Sequence, residues 1–139
     1  MLSAACAGSS PRIQPPTYPT LAPAQVANGR AIYVQSCASC HGANAQGAQG
    51  WATPGPDGLR LAPAHDDSGH TWHHADRVLY ATVRDGLTDP LKPNSALRMP
   101  AFKDTLKDAE IRAVIEYLKS FWSDAHRQWR ERRAHRGAE

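Results

Sequence analysis

Five residues, Cys37-Ala38-Ser39-Cys40-His41, constrain this chain more than any other feature. The two thiols stand one helical turn apart, so a helix presents both to a single flat partner. An imidazole follows directly and lies within reach of whatever they hold. Such a Cys-x-x-Cys-His run is the attachment spacing of a c-type haem, in which the thiols add across two vinyl groups of the porphyrin and His41 supplies an axial nitrogen to iron. The competing uses are a structural disulfide, a thioredoxin-like redox pair or half of a zinc site. No second Cys-x-x-Cys follows and no βαβ pattern surrounds the motif, so each competitor lacks a part it needs.

A second axial ligand follows from the methionine count. The chain has two methionines, Met1 and Met99, so Met99 is the internal one. It sits in Arg98-Met99-Pro100-Ala101-Phe102, where Pro100 forbids a continuing helix and presents a loop. A loop thioether opposite His41 makes a His/Met pair, which raises the reduction potential relative to two imidazoles. The alternative is a methionine that fills a core gap, but flanking Arg and Pro suit that poorly.

Residues 1–21 carry Pro11, Pro15, Pro16 and Pro19 among Ser and Ala, a spacing that predicts a linker. Pro23 opens a first helix that runs through Val26, Ile32, Tyr33 and Val34 to near Cys40. Gly42, Gly47, Gly50, Gly55 and Gly58 then predict a long irregular wrap. Val78, Leu79, Thr82 and Val83 share a face from about Ala75 to Arg84, closed by Asp85-Gly86. A last helix begins near Lys107, with Thr105 and Asp108 as a weak capping box and Ile111, Val114, Ile115, Leu118 and Trp122 as its apolar stripe. Residues 123–139 form a basic extension, and Ser123-Asp124 either continues the last helix or starts another.

The chain resembles the mono-haem class I cytochromes c of bacteria over roughly residues 22–122. The order of parts is shared: a helix ending in Cys-x-x-Cys-His, a wrap, a middle helix, a Met-Pro loop and a C-terminal amphipathic helix. Gly29 and Tyr33 match a first-helix pair, and Tyr117 matches the aromatic that packs against it from the last helix. The resemblance implies an all-α fold around one covalent haem c, with electron transfer as the activity. It also implies that Trp72 packs by the haem and donates its indole N–H to a propionate. The last helix is similar to those of cytochromes that serve respiratory chains. This implies a quinol-oxidising complex as donor and a terminal oxidase as acceptor, or a fixed place as a haem subunit of such a complex.

With 41% apolar residues and 11 prolines, the polypeptide alone builds a thin core that a buried porphyrin completes. Attachment of c-type haem takes place outside the cytoplasm, which points to the periplasm or another extracytoplasmic space. Met1-Leu2-Ser3-Ala4-Ala5-Cys6 resembles the tail of a bacterial lipoprotein signal, with Cys6 as the lipidated residue. Ser3 stands where an aliphatic residue is usual, and an incidental unpaired cysteine is the alternative. No apolar run approaches a membrane span. A formal charge of +3 and the arginines after Trp122 favour an acidic protein partner over nucleic acid. Two further classes stay open. One is a ligand-binding or enzymatic haem protein with Met99 absent from the iron or labile. The other is metal handling by the cluster from His65 to His74, whose milder roles are polar support beside the haem, a helix cap or surface solvation.

Overall fold

A computed structural model describes residues 21–56, 58, 60–87 and 99–136, with side chains as far as Arg133. The expectations for residues 1–20 including Cys6, for Arg98 and for the side chain of Arg136 lie outside the described residues. Five α-helices follow in order: α1 (Pro23–Ser36), α2 (Ala38–His41), α3 (Asp76–Asp85), α4 (Asp108–Lys119) and α5 (Asp124–Arg136), with a 3-10 turn at Thr71–His73. Among the described residues there is no strand, only one isolated antiparallel bridge between Leu87 and Met99. The all-α architecture expected from the sequence is the one observed.

Pro23 opens α1 because its missing N–H is one the first turn cannot pair anyway. The helix does not run unbroken to Cys40. It ends at Ser36, Cys37 turns the chain, and α2 makes one further turn before Gly42, at a φ of +80°, stops it. The apolar faces are also narrower than the sequence suggests. Ile32 and Tyr33 are buried, but Val34 is 55% exposed. On α3, Leu79 and Val83 are buried, whereas Val78 is exposed. A short helix resting on one neighbour buries its i, i+4 pair and leaves the adjacent position in water.

The centre of the fold is the crossing of α1 and α4. Gly29 is buried there, and a Cβ built on it would run into the Ala113 carbonyl and lie 2.9 Å from Cβ of Tyr117. The two helices therefore meet backbone to backbone, which no residue larger than glycine permits. Tyr33 packs its ring 5.3 Å from that of Tyr117, as the family resemblance implies. Ile32, Tyr33, Ala45, Val114, Tyr117 and Leu118 form one apolar cluster. A second, of Leu79, Val83, Ile111, Ile115 and Trp122, joins α3 to the other side of α4. All five stripe residues read from the sequence are buried.

The cap of α4 differs from the one expected. Glu110 accepts the Lys107 backbone N–H at 2.7 Å, while the Thr105 hydroxyl bonds to the Phe102 carbonyl instead. A carboxylate in the first turn also opposes the positive helix end. At its other end, the chain breaks at Ser120–Ser123 and restarts as the separate helix α5. The basic extension is thus ordered through Arg136 and folds back on the Thr71–His73 turn.

Candidate functional site

Cys37 lies half-buried at the junction of α1 and α2, and Cys40 is exposed on α2; neither is paired in a disulfide. Burial, and then the neighbouring Cys40, push the Cys37 thiol up to about 11. His41 closes α2 and is 7% exposed. Its Nδ1 lies 2.9 Å from the Pro63 carbonyl. A carbonyl only accepts, so Nδ1 carries the proton and Nε2 keeps its lone pair. That is the tautomer a metal-binding imidazole needs, and the same bond raises ligand basicity. Burial lowers the His41 pKa and keeps the ring neutral, with the Pro63 bond acting in the opposite sense. Two thiols one turn apart and a neutral imidazole with a free lone pair are a donor set that fits a covalent haem and its iron.

The glycine-rich wrap brings Pro63 to this position. Gly47 donates to the His41 carbonyl at 2.8 Å, Ala48 to Ala62 at 2.9 Å and His65 to Ala45 at 2.7 Å, folding the Ala62–His65 segment back over α2. The Tyr33 hydroxyl donates to the Gly42 carbonyl at 2.8 Å and ties the wrap to α1. The pKa of Tyr33 is raised, first by burial. Nothing in the spacing announces Pro63, because its contribution comes from the backbone.

His65 turns inward, its ring centroid 4.2 Å from that of His41. Its Nδ1 is 2.7 Å from the Thr71 hydroxyl, and burial, then His41 and His70, push its pKa down to about 3. The other histidines of the His65–His74 stretch point elsewhere. His70 and His74 meet edge to face at 5.3 Å, and His73 lies between Trp72 and Trp129. Among the described residues, no three His, Cys, Asp or Glu side chains gather as a metal-holding group. The separate metal site considered for this stretch has no geometric support.

Trp72 donates its indole N–H to the Gly69 carbonyl at 3.0 Å. Its ring is stacked by His126 at 3.6 Å and met edge-on by Trp129 at 5.3 Å. Met99 is half-buried beside the Leu79–Trp122 cluster. Its carbonyl accepts the Leu87 N–H at 3.0 Å, and Phe102 donates to the last carbonyls of α3, so the Met-Pro segment is stitched to the end of that helix.

The chain belongs to the cytochrome c family, whose model matches residues 26–122. It therefore carries covalently bound haem c with its iron and acts in electron transfer. The chain is similar to the Cbb3-type cytochrome c oxidase subunit CcoP of Azospirillum sp. (strain B510), 32% identical over 94 residues that cover 68% of this chain and 28% of that one. It is equally similar to the subunit of the same name from Rhodobacter capsulatus, 32% identical over 96 residues covering 65% of this chain and 28% of the relative. The chain thus spans under a third of the length of the curated relatives it matches. No helix among the described residues is long and apolar enough to cross a membrane.

Proposed function

We propose that this chain is a one-electron carrier with a six-coordinate haem, serving a terminal oxidase of the respiratory chain as a docking donor or as a haem subunit. Cys37 and Cys40 would hold the porphyrin through thioethers, and His41 Nε2 and Met99 Sδ would ligate its iron. When bound, the haem iron supplies reversible one-electron chemistry. The chain's own work is to hold and to tune. Tyr33 and Gly42 fix the start of the wrap, Pro63 orients the imidazole, and α3 anchors the methionine segment. Trp72 adds an apolar wall, its N–H already engaged by Gly69. A carrier of this kind needs no catalytic residue.

The observation that supports the reading is the His41–Pro63 bond, which leaves Nε2 unprotonated with its lone pair available. The oxidase as partner rests on the likeness to CcoP. A quinol-oxidising complex as donor, a periplasmic site and a lipid on Cys6 accompany the reading as expectations of the same proposal. Replacing Met99 with Ala tests the ligand pair. The oxidised protein should lose its weak sulfur-to-iron absorption at the red end of the spectrum, and its reduction potential should fall. An unchanged spectrum and potential remove Met99 from the iron. Carbon monoxide separates the carrier from a ligand-binding haem protein, since a six-coordinate carrier binds it slowly or not at all. The mass of the native protein decides whether Cys6 is lipidated.

A further inference from the structure

The segment that meets His41 is itself held from the far end of the chain. The Trp122 indole N–H donates to the His65 carbonyl at 2.8 Å. Two residues on, the Asp67 carboxylate accepts the Ser123 backbone N–H at 2.9 Å and Nδ1–H of His126 at 2.7 Å. Ser123 immediately precedes α5, and its carbonyl receives the Arg127 N–H at 3.1 Å. Asp67 therefore completes the N-terminal cap of a helix that follows it by more than fifty positions. The His126 ring lies flat on Trp72, inclined by 10°. Arg130, a turn further along α5, reaches the His74 carbonyl and the Asp76 carboxylate. All of α5 lies beyond residues 26–122, the part matched by the family model, and its contacts to Asp67, Trp72, His74 and Asp76 join it to that part.

The geometry points to Asp67 and His126 as positioning residues for the axial imidazole: their bond clips α5 to the Pro63–Asp67 segment and so holds the Pro63 carbonyl against Nδ1–H of His41. The inference rests on His41 being the axial ligand. Only three residues separate Pro63 from Asp67, and both ends of that short stretch are pinned, one on the imidazole and one on the cap of α5. Releasing the outer pin lets the inner bond open more often by local fluctuation. An imidazole that loses this acceptor is a less basic ligand, which disfavours the ferric state.

The test follows the Nδ1 proton by NMR in ferrous holoprotein carrying nitrogen-15 in its histidine rings, alongside the midpoint potential. In Asp67→Ala and His126→Ala the proton should exchange with solvent about tenfold faster, the change that ~1.4 kcal/mol of lost clamping makes, and the midpoint potential should rise. Asp67→Asn keeps an acceptor oxygen for both donors and should restore values close to the wild type. His126 lies on a helix outside the family domain, so its variant answers the question even where Asp67→Ala yields no holoprotein. Exchange and potential that match the wild type, with only the melting temperature lowered, overturn the positioning role and leave a purely structural contact. Histidine-41 ring protons without the large haem ring-current shift in the wild type remove the axial ligand, and the inference with it.

Discussion

Single atoms decide several properties of this chain. At Gly29 a β-carbon has nowhere to go, because the Ala113 carbonyl occupies its place. Gly29→Ala reverses the usual helix preference: instead of gaining propensity, the variant should lose about 2–3 kcal/mol through overpacking, read by chemical denaturation of the holoprotein. Tyr33→Phe removes only the bond to the Gly42 carbonyl and should cost ~1 kcal/mol by the same measurement. Cys37, Cys40 and His41 are picked out in the sequence by residue type at fixed spacing, and the close approach at Gly29 by the family resemblance. Pro63, which sets the imidazole tautomer, is not. It acts through a carbonyl, which every residue possesses, and only the path of the wrap selects this one. The partners of Trp72 were equally hidden, since two of them, His126 and Trp129, lie on another helix.

The helices of the matched region were readable to within a few positions, because Leu79, Val83, Ile111 and Ile115 keep the helical period. The break at Cys37 and the Glu110 cap were not, since both depend on where the chain turns next. Least legible was α5. Its charges show no apolar stripe, and its order comes from contacts to Asp67, Trp72, His74 and Asp76 instead. Burial raises the Asp67 carboxyl, but the bonds from Ser123 and then His126 together outweigh it and hold its pKa below the ordinary 3.8. A carboxyl whose pKa is depressed by folding stabilises the folded state above its unfolded value and loses that contribution as pH falls through its folded one. Docking of α5 should therefore weaken in acid, from about pH 4 downward. Hydrogen exchange of the α5 amides should report this, with Asp67→Asn showing a flatter pH dependence. Arg130→Ala should weaken docking of the same helix at its far turn, by removing its hold on His74 and Asp76.

Across the whole molecule, two small apolar clusters share α4, and neither closes a core by itself. A chain in which Cys37 and Cys40 are both replaced by Ser, made without haem, should show weak helical circular dichroism and no cooperative melt. Native-like helicity with a sharp transition in that variant contradicts the prediction. With a formal charge of +3, electron exchange with an acidic partner should slow as salt is raised, whereas exchange with a neutral small reagent should change little. The meeting of Gly29 with Ala113 sets a schedule for biogenesis. Sequence-distant surfaces must find each other before that contact can form, and closing so long a loop is slow compared with winding a single turn. The turn that carries Cys37 and Cys40 is local and should wind before that crossing closes, leaving the pair open to its porphyrin in the meantime. In this chain, colour can precede shape.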